Sequence, residues 1–247
     1  TLTITGTTQG TLGSVLNNGS NVTYTPRPNA SGTDTFDYTI GNGLGDTSTA
    51  TVTVNISPVN DPPVNSVPGP QSTNEDTPLA LPAITVSDGD GNVNLTVGLS
   101  GVLGTISVPA TSGVTITNPD SANVTLEGLV NDLNNALSSV TYSPNLNANG
   151  AGSLTVNSSD GTASDSDTVN ITINPVNDGP INTVPGSQTV FNTETLAFTA
   201  GAFSVQDVDA STLEVTLTVG QGTLQFGVGG TPSASLNATG TISSINS

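Results

Sequence analysis

Apolar and small polar residues alternate along most of this chain, and a period of two predicts short strands. Residues 22–25 alternate, pass a turn over 26–32, and alternate again over 33–40 with Phe36, Tyr38 and Ile40 on one face. A loose loop over 41–45 precedes a strand over 49–56 that buries Ala50, Val52, Val54 and Ile56. Further strands are predicted over 64–72, 79–86, 93–99, 105–108, 114–116, 123–126, 140–142, 153–157 and 168–173. Proline and glycine punctuate them. One stretch departs from this pattern. Between 127 and 140, Leu129, Val130, Leu133, Ala136, Leu137 and Val140 follow helical spacing and predict a short helix crossing between sheets.

The pattern also recurs. Pro58-Val59-Asn60-Asp61-Pro62-Pro63 returns as Pro175-Val176-Asn177-Asp178-Gly179-Pro180, and each copy ends an alternating run. The two aspartates stand 117 residues apart, about the length of one β-sandwich. Phe203 to Val205 leads to Asp207 as Ile84 to Val86 leads to Asp88, and residues 240–246 resemble 128–134. The expected organisation is all-β, with tandem sandwiches joined by short linkers. Residues 1–60 are the later part of one domain, 61–177 a complete domain with one short helix, and 178–247 the opening part of another. Partial sandwiches leave sheet edges open. A longer chain or neighbouring copies would close them.

Composition narrows the chemistry. Nineteen carboxylates face a single base, Arg27, for a formal net charge of −18. Such a surface repels nucleic acid and anionic membranes, and favours cations. No apolar run approaches the roughly 18–20 residues of a membrane span. Without Cys or Lys the chain forms no disulfide and no isopeptide cross-link, and without His it lacks the usual base and transition-metal ligand. Trp is also absent, so the core rests on Val, Leu, Ile and Ala, and bound cations are the one staple that this composition allows. The chain has no initiator Met and reads as a segment of something longer. Cys-free, acidic, Thr/Asn-rich repeats point to a bacterial extracellular setting.

The two PVND junctions, Asn74-Glu75-Asp76-Thr77, Asp88-Gly89-Asp90, Asp207-Val208-Asp209, and Val-Thr-Tyr-x-Pro followed by Gly32 or Gly150 resemble the cadherin-like and Ig-like tandem repeats of giant bacterial adhesins. The resemblance implies seven strands running alternately up and down, which sorts the carboxylates by domain end. Asp88, Asp90 and Asp160 then face the linker at Asn60 and Asp61, with Asp34 approaching from the domain before. At the next junction Glu75 meets Asn177 and Asp178, with Asp207 and Asp209 reaching in. Each junction collects oxygen donors for Ca²⁺, which takes six to eight. The third domain carries Glu194 out of register with Glu75. Any single Asp beside Pro or Gly also serves as an ordinary turn former. Several carboxylates drawn together without a cation would repel one another.

Other motifs carry less. The run from Asp88 to Asn94 resembles an EF-hand opening, but its twelfth position is Leu99. The glycines at 41, 43 and 45 make one fragment of a nonapeptide repeat that needs many copies. Nine N-x-S/T sites fit chance in so Asn-rich a chain. A serine nucleophile would lack its base, and a paired-carboxylate glycosidase would lack aromatic sugar platforms, so no catalytic site is expected. The expected role is a calcium-rigidified extracellular extender or adhesion repeat on a cell surface. Its partners are calcium, neighbouring domains or other copies, and a surface ligand held by other domains. A self-assembling filament or surface-layer subunit and a calcium-dependent carbohydrate-binding module are the alternatives.

Overall fold

The computed structural model describes residues 2–227 and 229–246, and the chain divides into two compact units, Thr1–Asn174 and Pro175–Ser247. The fold is all-β with two short helices, in agreement with the alternating pattern.

The first unit opens with β1 (Thr3–Thr7), β2 (Gly13–Asn17), β3 (Val22–Pro26), β4 (Gly32–Gly41) and β5 (Thr47–Ile56). β1, β4 and β5 form an antiparallel sheet, and β2 pairs with β3. Val15 and Phe36 are buried here, and Tyr24 stacks on Phe36 with ring centroids 6.0 Å apart. Ala50 is exposed, while Val52, Val54 and Ile56 are half-buried.

The unit continues through β6 (Pro63–Ser66), β7 (Gln71–Asn74), β8 (Leu79–Ala80), β9 (Thr85–Asp88), β10 (Asn94–Val102), β11 (Gly104–Ser107), β12 (Val114–Thr117) and β13 (Asn123–Leu129). Helix α1 (Val130–Leu137) then leads to β14 (Thr141–Pro144), β15 (Gly150–Ser159) and β16 (Ser164–Asn174). Six strands form one sheet in the order β12-β13-β10-β15-β16-β7; β11-β14-β8 and the pair β6-β9 form the opposing layer. Leu95, Val97, Leu99, Leu126, Leu154, Val156, Ile171 and Ile173 meet Ile84, Val86, Ile106 and Tyr142 in one core. Helix α1 leaves the six-stranded sheet and delivers the chain to the other layer, and it buries Leu133, Ala136 and Leu137.

Two expected strands are each divided. The stretch over 64–72 breaks at Pro68-Gly69-Pro70. Two residues without N–H groups cannot continue a ladder, so β6 pairs with β9 while β7 crosses to pair parallel with β16. Pro82 likewise separates β8 from β9.

The second unit contains β17 (Ile181–Thr183), β18 (Ser204–Gln206), β19 (Thr212–Thr218), β20 (Ser235–Thr241) and α2 (Ile242–Ile245). β17 pairs with β18 and β19 with β20. Val205 is its one buried hydrophobic residue among those described.

Candidate functional site

The linker between β5 and β6 is stitched to the turn between β9 and β10. The Asp61 N–H donates to Asp90 Oδ2 at 3.0 Å, and the Asp90 N–H donates to Asp88 Oδ1 at 2.8 Å. The Gly91 N–H closes the turn on the Asp88 carbonyl at 3.1 Å, with Gly91 at φ 98°, a conformation that favours glycine. Asp-Gly-Asp-Gly therefore folds locally as an Asx turn, and the turn lends its second carboxylate to the linker. Asn60 reaches the other way, donating from Nδ2 to Asp160 Oδ2 at 2.8 Å. Asp160 sits in the β15–β16 turn, where its Oδ1 also accepts the Thr162 and Ala163 N–H groups at 2.6 and 2.7 Å. The Ala163 N–H, then Asn60, holds the Asp160 carboxyl below the usual carboxylate range.

A further side chain joins from the β3–β4 turn. Asn29, at φ 59°, donates from Nδ2 to the Gly89 carbonyl at 3.1 Å. Gly89 lies where these pieces meet: a Cβ there would stand 2.7 Å from Asn29 Nδ2, Asp61 Cβ and Asp61 Oδ2. Beside it, Asp88 Oδ2 is buried with no hydrogen-bond partner. The structure thus brings Asn60, Asp61, Asp88, Asp90 and Asp160 into one bonded seam. Asn29 was not anticipated from the sequence. Its signal was the matching Asn147, also at positive φ, at the same distance beyond the second Val-Thr-Tyr-x-Pro.

Asp34 is placed elsewhere, which corrects its expected role at this linker. It is 3% exposed and accepts from the Thr11 N–H and Oγ1 at 2.9 and 3.0 Å, the Leu12 N–H at 2.9 Å and Tyr24 Oη at 2.7 Å. These donors come from the β1–β2 connection and from β3. The Tyr24 hydroxyl leads in holding the Asp34 carboxyl far below its ordinary value. Tyr24, by desolvation and then by this bond, is pushed up to about 12.

The second unit repeats part of the seam. The Asp178 N–H donates to Asp209 Oδ2 at 2.6 Å, and Asp207 Oδ1 accepts the Asp209 and Ala210 N–H groups at 3.0 and 2.7 Å. Asn177 Nδ2 donates to the Asp178 carbonyl at 2.8 Å, as Asn60 Nδ2 does to the Asp61 carbonyl at 3.2 Å. Glu75 belongs to the first unit. It is buried, accepts from Asn149 Nδ2 at 3.4 Å, and donates its N–H to the Asn174 carbonyl at 2.9 Å.

Among the described residues, no three acidic side chains stand close enough together to hold a metal ion. Much of the expected repulsion is relieved by N–H groups that point at the carboxylates. The donor chemistry at the first seam still suits a hard cation: an orphaned Asp88 oxygen, the carboxylates of Asp61 and Asp90, and nearby amide and backbone carbonyls.

Residues 1–55 match the family model of the bacterial Ig domain. Over 197 residues the chain is 29% identical to Protein GAMETE EXPRESSED 2 of Arabidopsis thaliana, which covers 73% of this chain and 21% of that protein. The chain therefore spans about a fifth of the curated relative it matches. Among solved structures, repeats EC3-6 of protocadherin gammaB7 align over 96% of this chain and 65% of theirs, at 15% identity and a TM-score of 0.36. Repeats EC22-24 of mouse cadherin-23 align over 89% and 70%, at 16% and 0.36. An endo-fucoidan hydrolase of glycoside hydrolase family 107 aligns over 96% and 34%, at 14% and 0.25. The expected kinship with bacterial Ig-like repeats is met over the first 55 residues. No described helix is long and apolar enough to cross a membrane.

Proposed function

We propose that this chain is a stretch of a calcium-rigidified extracellular extender, built from Ig-like domains over 1–60, 61–177 and 178–247 of a large bacterial surface protein. Bacterial Ig domains are in general non-catalytic structural modules of extracellular proteins, and the match over residues 1–55 supports that much. The observation that carries the calcium reading is Asp88 Oδ2, buried without a partner where the linker, the β9–β10 turn and Asn29 meet. A buried carboxylate oxygen left unpaired is unfavourable. Asp61, Asp88 and Asp90, which stand too far apart to hold an ion together as they are, would close on it and supply charged oxygens, with the Asn60 side chain and Gly89 carbonyl as neutral ones. A bound Ca²⁺ would supply the positive charge that lets these groups share one site. The residues themselves tie linker to turn and thereby set the angle between consecutive domains.

Extracellular modules of this kind bind Ca²⁺ at roughly 10⁻⁴–10⁻³ M, so the expected affinity falls in that range. Calorimetry on the intact chain should show millimolar-range binding that Asp88→Asn weakens. Small-angle scattering should show a shorter maximum dimension when EDTA is added. A maximum dimension constant from zero to millimolar Ca²⁺ would remove the stiffening role.

A self-assembling subunit is the second reading. It is favoured by exposed apolar residues in the second unit, among them Ile181, Val184, Phe191, Val208 and Phe226. A monodisperse monomer at high concentration with Ca²⁺ present would rule it out.

A further inference from the structure

The acidic turn is held at both ends by the helix that follows β13. Asn134, in the last half of α1, accepts the Val86 N–H on Oδ1 at 2.8 Å and donates from Nδ2 to the Val86 carbonyl at 2.9 Å. Val86 lies opposite Asn65 in the β6–β9 ladder and two residues before Asp88. Its backbone groups point away from β6, and the carboxamide answers both of them as a neighbouring strand would. At the other end of the turn, the Val130 N–H donates to the Val93 carbonyl at 3.0 Å, and the Asn131 N–H to Asn92 Oδ1 at 3.0 Å. Asp88, Gly89, Asp90 and Gly91 hang between these anchors.

The second unit builds the same device from different residues. Asn246 accepts the Val205 N–H at 2.9 Å and donates to the Val205 carbonyl at 2.9 Å. The Ile242 N–H donates to the Ser211 carbonyl at 3.3 Å. Asp207 to Ala210 lie between. Each asparagine falls four residues after the first helical residue, and each grips the residue two before the first aspartate. In the second unit this happens where the one buried hydrophobic residue among those described is Val205 itself. A bond pattern that survives with so little core around it belongs to the turn and its helix rather than to general packing.

We propose that Asn134 and Asn246 are positioning residues: each splints an acidic turn so that its second aspartate meets the linker N–H. The consequence for cation affinity rests on the calcium reading above, whereas the splint itself does not. In the structure, Asp61 and Asp178 find Asp90 and Asp209 already in place. Ligand-bearing turns that are held by a surrounding set of bonds lose less order on binding.

The test is amide hydrogen exchange on the full chain, comparing Asn134→Leu with the exposed control Asn135→Leu. Leucine keeps the bulk and removes both bonds. Exchange at Asp61, Asp90 and Gly91 should rise on the order of tenfold in Asn134→Leu, as expected for a local opening. Leu154 and Val156 in β15 should stay at wild-type rates, and Asn135→Leu should change neither region. Unchanged turn amides, or a rise shared equally by β15, would overturn the splint. Where Asn134→Leu does not fold, Asn134→Asp keeps an acceptor for Val86 and loses the donor, and Asn246→Leu is read at Asp178, Asp209 and Ala210; the same two outcomes decide. In parallel, Ca²⁺ titration should show affinity reduced roughly 10–100-fold in Asn134→Leu. A wild-type chain that binds no Ca²⁺ removes the calcium reading and leaves the exchange result to decide the splint.

Discussion

The linker before β6 and the linker before β17 make the same bond to the turn that follows. Asp61 donates to Asp90 and Asp178 donates to Asp209. What surrounds that bond differs. Around Asp61 the β15–β16 turn supplies Asp160, the β3–β4 turn supplies Asn29, and Gly89 leaves room for both linker and asparagine. In the second unit the residue between the two aspartates is Val208, exposed. The bridge between linker and turn is therefore a local device written into about thirty residues. Its enclosure is a property of a packed sandwich.

The largest test of that distinction removes packing. Ile171 is 1% exposed in the core of the first unit, whereas Leu213 is half-buried in the second. Ile171→Ala should destabilise the first unit by about 2–5 kcal/mol, read from urea unfolding. Leu213→Ala should cost less than about 1 kcal/mol, because less area leaves water there on folding. Equal costs would mean that the second unit is packed as tightly as the first.

The next test exchanges the turn residues. Gly89 has an ordinary backbone conformation, so a side chain is opposed there by Asp61 and Asn29 rather than by strain. Gly89→Val copies the second turn into the first and should cost about 1–3 kcal/mol, as overpacking does. It should also break the Asn29–Gly89 bond and expose the 58–62 linker to limited proteolysis. The reverse change, Val208→Gly, should stay within about 0.5 kcal/mol, the range of surface substitutions. A harmless Gly89→Val would show that Asn29 does not reach the turn in solution.

The same contrast explains what could be read ahead of the structure. Period-two alternation and the spacing of Val130, Leu133, Ala136 and Leu137 were enough for most of the strands and α1, because each records one face turned to a core, whereas Leu129, read onto the same helical face, ends β13 and is exposed. The Asp-x-Asp turns and their linkers were legible because both partners recur at matched distance in the chain. Asp34 misled for a physical reason. A lone aspartate at a strand start carries no mark of which donors will find it, and Thr11 and Leu12 come from the β1–β2 connection and Tyr24 from β3. The crossing of β7 into the other sheet was hidden in the same way. Pro68 and Pro70 announced a break, but a break does not say which sheet receives the next strand. The strands β1 and β2 lay in Thr- and Gly-rich sequence with little alternation to betray them.

Acid separates the two regions next. Asp34 and Asp160 both belong to the first unit, and both carboxyls are held below the ordinary range. A carboxyl with a lowered folded value contributes stability that is complete above its unfolded value, about 3.9, and that fades as pH falls toward the folded one. The first unit should therefore weaken steadily below about pH 4. Asp34→Asn should be less stable than the parent chain at pH 7, and the gap should close on acidification. Raised alkalinity acts through Tyr24, whose contribution is full below the ordinary phenol value and is lost as pH approaches about 12. A pH-independent gap between Asp34→Asn and the parent would show that Asp34 is not ionised within its cage of donors.

The smallest effect isolates the bond between Asn60 and Asp160. Asn60 and Asn177 each donate to the carbonyl of the following aspartate, and Asn60 also donates to a carboxylate, Asp160. Stability is a poor gauge of so exposed a contact, because its net contribution is small. The titration of Asp160 is a better one. Asn60→Ala should raise the Asp160 carboxyl part of the way toward its ordinary value, since the Ala163 and Thr162 N–H groups remain and Ala163 contributes most. Asn177→Ala should leave it where it is. Carboxyl carbon NMR reads both variants directly. If the two behave alike, the Asp160 carboxyl is held by its own turn alone, and Asn60 adds nothing to it.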